Sequence, residues 1–117
     1  MQLTLYGKKI WVYRLAVDFR RSIDGLVSLV TQEIKLPPRE GIFLFFNRGQ
    51  DKVKCLSWHK NGFVLLYKRL ESGCFQMKFH EASGIVEINA DELSWLLAGL
   101  EWQKMRNWKE LNYSKFS

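Results

Sequence analysis

The side chains able to do chemistry in this 117-residue chain are few, and most lack a second group to work with. Cys55 and Cys74 form no Cys-x-x-Cys pair, and His59 and His80 do not complete a four-ligand spacing. Two small thiols in a reducing compartment are therefore expected, and no metal site. The acids Asp18, Asp24, Glu33, Glu40 and Asp51 are scattered, each readable as a cap, a helix surface or a turn. Ser22, Ser57 and Ser94 lack the Gly-x-Ser-x-Gly elbow of an activated nucleophile. No glycine loop that would cradle phosphates occurs. His59 falls in a turn without a matched partner for acid–base work. The expectation is no catalytic residue, no cofactor and no enzyme activity.

Charge is what remains. Eighteen Lys and Arg oppose twelve Asp and Glu, a net charge of +6, and the excess is unevenly placed. Residues 1–79 carry 14 basic and 6 acidic groups, whereas 80–101 carry five acids and no base. The tail, 102–117, returns to +3. A basic body suits polyanionic partners, either nucleic acid or an acidic protein surface; the plain alternative is solubility.

The elements that must position those cations can be read in order. At 47% hydrophobic and 15% aromatic, the chain is too apolar for disorder and long enough for one core, so 1–117 is expected to be a single domain. Its longest apolar runs are too short to cross a membrane and no signal sequence is evident, which makes the cytoplasm the expected location. Lys9 to Tyr13 reads as a brief strand. Ile23, Leu26, Val27, Val30 and Ile34 fall on one helical stripe, predicting an amphipathic helix over about 19–35. Asp18 is its expected N-cap, a close neighbour is the expected reason for Gly25, and Pro37-Pro38 ends it.

Strands follow. Ile42 to Phe46 has the length and continuity of a buried strand. Lys52 to Trp58 and Phe63 to Leu70 flank Asn61-Gly62, the strongest short-range hairpin signal. Phe75, Met77 and Phe79 alternate, and Ile85 to Ile88 reads as a short strand. Asn89 with Glu92 then forms a capping box for a second helix over about 90–103, whose stripe is Leu93, Leu96, Leu97 and Leu100. The predicted class is α+β: an antiparallel sheet with a central hairpin at about 52–70, packed by two helices. For residues 104–117, three placements fit: an extension of the second helix, packing on the sheet, or a partner-binding tail.

Period-two alternation sorts the hairpin into two faces. One carries Lys52, Lys54, Leu56 and Trp58 beside Phe63, Leu65, Tyr67 and Arg69. The other carries Val53, Cys55 and Ser57 beside Val64, Leu66, Lys68 and Leu70, and is the expected core side. The first face becomes basic at its open end, where Lys52, Lys54 and Arg69 surround Tyr67, with Arg48 in the loop leading in. Cations around an aromatic ring can neutralise phosphates and offer a stacking surface; a solvated strand end with snorkelling side chains is the alternative. Arg20 and Arg21, expected in the first turn of the first helix, sit where the helix dipole disfavours cations, a hint of salt bridges or phosphate contacts.

Longer motifs add a family. Asp18-Phe19-Arg20-Arg21-Ser22-Ile23-Asp24-Gly25-Leu26 resembles the Asp-Met-Arg-Lys-Ser-Ile-Asp-Gly-Leu signature of a bacterial transposon family. So do Phe46-Asn47-Arg48, Asp51-Lys52-Val53-Lys54, Leu56, Trp58, Gly62-Phe63 and Tyr67-Lys68-Arg69-Leu70-Glu71, with Gly73, Phe75, Leu93, Leu96-Leu97, Gly99-Leu100 and Trp102. Over about 10–102 the chain is similar to the Orf2-type accessory protein (TnpB) of insertion sequence 66 elements. The pattern differs at Gly49-Gln50, where further Arg is frequent, at His59, where Asp is common, and at Ala16-Val17, where Gly and Thr are frequent. The resemblance implies a small bacterial protein encoded beside a larger transposase and needed for transposition.

The functional expectation is a non-enzymatic accessory protein binding element DNA, or the transposase–DNA complex. Arg20, Arg21, Arg48, Lys52, Lys54, Tyr67, Lys68 and Arg69 are the candidate contacts. The expected partners are transposon-end DNA and the cognate transposase, with no membrane. The alternative is a protein–protein adaptor for the transposase that touches no nucleic acid, with Trp108, Tyr113 and Phe116 or the acidic second helix as anchors.

Overall fold

The computed structural model describes residues 7–78 and 84–100. Strand β1 (Lys9–Tyr13) leads to helix α1 (Ile23–Leu29), which continues as a π-helical turn over Val30–Ile34. Strands β2 (Gly41–Phe46), β3 (Lys52–His59), β4 (Gly62–Arg69) and β5 (Ile85–Ile88) follow, and then helix α2 (Ala90–Leu97). The fold is α+β, and the five strands form one sheet in the order β4-β3-β2-β1-β5. Every neighbouring pair is antiparallel except β1 and β2, which run parallel, with α1 in the connection between them. A parallel pair needs a long crossover, and α1 supplies it.

Both faces of this sheet are covered. On one side Leu26 and Leu29 of α1, with Val30 of the π-helical turn, pack onto Phe43, Phe45 and Leu56. On the other, Leu93 and Leu96 of α2, with Phe75 and Met77, cover Ile42, Leu44, Phe46, Val53 and Cys55. All six residues of β2 are therefore buried, which explains why Ile42 to Phe46 is an unbroken apolar run rather than an alternating one. This corrects the expectation of a single core side: Leu56, on the face that also carries the cations, is fully buried.

The hairpin pairs Trp58 with Phe63 and His59 with Gly62, so the two-residue loop is Lys60-Asn61, with Lys60 left-handed at φ 56°. The first helix begins four residues later than its apolar pattern suggests. Asp18 accepts a hydrogen bond from the Arg20 backbone N–H at 2.9 Å, and the Arg21 N–H donates to the Asp18 carbonyl at 3.1 Å. That closed turn leaves Ser22 as the N-cap, without a side-chain capping bond. Arg20 and Arg21 thus precede the helix, and the dipole argument for them does not apply. At the other end Lys35 adopts the left-handed conformation, φ 61°, that more often falls to glycine. The close neighbour of Gly25 is the Arg21 side chain, whose Cβ would lie 3.3 Å from a Cβ built on the glycine.

Helix α2 opens on the expected capping box of Asn89 and Glu92 but stops short of the predicted end. Gly99 takes φ 81°, its N–H donates to the Leu96 carbonyl at 3.1 Å, and the Leu100 N–H donates to Trp95 at 2.9 Å. These two bonds form a Schellman motif, which satisfies the last carbonyls and ends the helix. The segment containing Phe75 and Met77 buries both side chains without joining the sheet. Phe79 and the 104–117 tail lie outside the described residues.

Candidate nucleic-acid interface

Strand directions bring four segments to one end of the sheet. Because β1 and β2 run parallel, the loops that follow them, 14–22 and 47–51, leave at the same end. The start of β3 and the finish of β4 lie there too, with Lys52 opposite Arg69 and Lys54 opposite Tyr67. The loop 47–51 is fixed internally: Asn47 Nδ2 donates to Asp51 Oδ1 at 2.6 Å, and the Lys52 N–H donates to Asn47 Oδ1 at 3.0 Å. The amide hydrogen bond from Asn47 holds the Asp51 carboxyl below its ordinary value. Outside contacts add to this, with the Leu70 N–H donating to the Asp51 carbonyl at 2.8 Å and the Phe75 N–H to Gln50 at 2.7 Å. Arg48 is thereby presented, exposed, from a constrained loop.

Lys54 behaves differently from its neighbours. Only 9% of it is exposed. Its Nζ donates to the Phe19 carbonyl at 2.7 Å and the Arg21 carbonyl at 3.0 Å, and lies 4.9 Å from the centre of the Phe19 ring. The Phe19 ring in turn meets Tyr67 edge-on, 6.1 Å between centroids. Lys54 is therefore a buried tether that holds the 18–21 loop onto the hairpin, which corrects its expected place on the solvent-facing rim.

The remaining candidates divide. Arg21 and Arg48 are exposed, Lys52 is half-buried, and Tyr67 is 53% exposed. None of the three cations enters an ion pair among the described residues. Arg20 is held by Asp18, with Nη2 to Oδ2 at 2.6 Å, and Arg69 reaches Glu71 at 3.2 Å. Both pairs are solvent-exposed, so they compete only weakly with another anion. Lys68 lies on the opposite face, where its Nζ donates to the Leu97 carbonyl at the end of α2, 2.8 Å away. It does not join the rim.

Two basic features escaped the sequence reading. Arg14, just after β1, donates from Nε to the Lys78 carbonyl at 3.1 Å, adding Arg14 and the exposed Lys78 to the same end. Only the parallel β1–β2 pairing reveals that placement. At the turn end of the hairpin, the Arg39 guanidinium stacks 4.1 Å above Trp58, which meets Phe63 edge-on at 4.9 Å. The Lys8 amine donates to the Trp58 carbonyl. An aromatic beside a two-residue loop is the sequence signal for such a contact, but the Pro37-Pro38 loop that delivers Arg39 is distant in sequence.

Two local predictions follow from titratable groups. Hydrogen bonds from the Arg20 side chain, then from the Arg20 backbone, lower the Asp18 carboxyl from 3.8 to about 2. Because the folded value lies below the unfolded one, this pair's contribution is present above about pH 4 and is lost as pH falls through 2. Carboxyl carbon NMR should give a midpoint near 2 for Asp18. In Arg20→Ala it should move toward, but not reach, 3.8, since the backbone donor remains. Burial pushes the Cys55 thiol up to about 12, whereas Cys74 is exposed. A disulfide reagent should therefore titrate one thiol in the native protein and the second only after denaturation.

Among the described residues, no group of three or more His, Cys, Asp or Glu is placed to hold a metal ion, and no helix is long and apolar enough to cross a membrane. The family model described as IS66 Orf2-like protein matches residues 8–107. The chain belongs to that family. It is thus a transposition-associated accessory protein, of a family not known as enzymes. A relative, the uncharacterized protein y4jC of Sinorhizobium fredii (strain NBRC 101917 / NGR234), is 37% identical over 101 residues, covering 86% of each chain. No solved structure matches.

Proposed function

We propose that this IS66 Orf2-like protein is a non-enzymatic, cytoplasmic partner of bacterial transposition that binds element DNA, or the transposase–DNA complex, through the basic end of its sheet. Arg21, Arg48, Lys52 and Arg69 meet phosphates, and Tyr67 offers its exposed ring beside them. The observation that carries this reading is the gathering, at one end of the sheet, of Arg21, Arg48 and Lys52, which enter no ion pair among the described residues, together with the half-exposed Tyr67. Lys54 contributes indirectly, by fixing the loop that supplies Arg21.

The test is anisotropy of labelled transposon-end DNA, duplex and single-stranded, titrated at several salt concentrations. With about four cations on phosphates, log K should fall against log salt with a slope near −3 to −4. Undetectable binding at low salt, or a slope near zero, overturns the proposal. The competing adaptor reading then gains if the cognate transposase still co-purifies after nuclease treatment.

A further inference from the structure

Among the described residues the sheet has two outer strands, and they are built differently. Strand β5 has four residues, with Glu87 exposed on it. Strand β4 has eight, contains no proline, and pairs with β3 residue for residue along its whole length. Its Gly62 to Leu66 stretch is uncharged and half-buried throughout, followed by the exposed Tyr67. A long apolar edge of this kind is a template for another strand. Edge strands are normally guarded by charged side chains, but here the two charges, Lys68 and Arg69, both sit at the far end of the strand and each has a partner. The Lys68 amine is held by the end of α2 and the Arg69 guanidinium by Glu71.

We propose that a second copy of this chain pairs with β4, antiparallel about Leu65, joining two five-stranded sheets into one of ten. His59 and Gly62 close the two-residue loop, so alternation turns the backbone N–H and C=O groups of Phe63, Leu65 and Tyr67 away from β3. These are the groups that an antiparallel register centred on Leu65 brings together. In that register Phe63 faces Tyr67 of the partner subunit, Val64 faces Leu66 of the partner subunit, and Leu65 meets its own copy. Each pair lies on one face of the sheet, as a two-fold axis perpendicular to it requires.

Charge selects this arrangement over the parallel one. A parallel pairing in register would set Lys68 against Lys68 and Arg69 against Arg69. The two-fold antiparallel pairing separates the Lys68 residues by ~20 Å along the strands, beyond the screening length at physiological salt. A mobile or foreign strand lacks this self-complementarity. The proposal stands without the nucleic-acid reading; if both hold, the two basic ends point in opposite directions and one dimer presents two binding ends.

The experiment is light scattering coupled to size exclusion on the full chain, without nucleic acid, from low to high micromolar concentration. The expected mass rises to twice 13.9 kDa. Val64 packs against neither core cluster, so Val64→Lys with Tyr67→Lys should give a monomer whose far-UV circular dichroism is unchanged. Val64→Thr, which keeps strand propensity and adds no charge, should remain dimeric. Hydrogen exchange should show the Leu65 and Tyr67 amides protected in the dimer and exposed in the double variant. A wild-type monomer at every concentration overturns the proposal, as does a dimer that survives both lysines. A monomer with those amides protected does so too, and assigns the edge to the chain's own residues.

Discussion

Replacing Lys54 with alanine should lower the stability of the folded chain by about 2–4 kcal/mol, far more than an exposed lysine would. The side chain is nearly buried, and its ammonium donates to two backbone carbonyls on a loop more than thirty residues away in sequence. Removing it deletes two charge-assisted bonds, leaves the Phe19 and Arg21 carbonyls without their donor, and opens space beside the Phe19 ring. Lys54→Met separates these effects, because it keeps most of the stem's packing and loses only the bonds. It should cost roughly 1–2 kcal/mol. Urea unfolding of both variants measures the difference, and at this chain length each kcal/mol corresponds to a few degrees in Tm. A methionine variant as stable as wild type would show that packing alone holds the loop. An alanine variant within about 0.5 kcal/mol of wild type, the range expected of surface changes, would remove Lys54 from the architecture altogether.

The same burial explains which parts of the chain could be read in advance. The two faces of the hairpin were open to reading because pairing Phe63 with either Trp58 or Lys60 leaves the same side chains together, and the structure pairs it with Trp58 around a Lys60-Asn61 loop. The capping box at Asn89 and Glu92 was equally local. Lys54 was not, since a lysine alternating with apolar neighbours looks solvent-facing until the helix crossing above that face is known. Only the parallel β1–β2 pairing, which places α1 over Leu56, supplies that fact. Two partners were within reach: Asp18 and Glu71 each stand two residues from the arginine they bind. The regular apolar stripe behind Asp18 suggests a helix cap, yet its side chain folds onto the Arg20 backbone N–H two residues on, a local bond that competes with capping. The end of α2 shows the reverse conflict, where Leu100 extends the apolar stripe past Gly99, whose left-handed backbone has already ended the helix.

Charge reversal at Lys54 would unfold the loop and so cannot report on binding. The informative variant reverses Arg48, Lys52 and Arg69 to glutamate together. Arg48 and Arg69 are exposed and Lys52 half-buried, so the triple variant should keep its circular dichroism spectrum. If these three side chains meet phosphates, their loss should flatten the salt slope by about 2.7, at ~0.9 per phosphate contact. Affinity for transposon-end DNA should fall by at least ~100-fold at low salt, because three new anions add repulsion to the lost contacts. Lys68→Gln serves as the control: it removes a positive charge from the neighbouring position on β4 but on the opposite face, where its amine serves the end of α2. It should change affinity by less than about 3-fold, since no phosphate contact is lost. Equal losses in the two variants would mean that net charge alone governs binding, and the assignment of a contact surface to this end of the sheet would fall. A large loss confined to the triple variant, with its slope reduced by the stated amount, ties the affinity to the cations gathered around Tyr67.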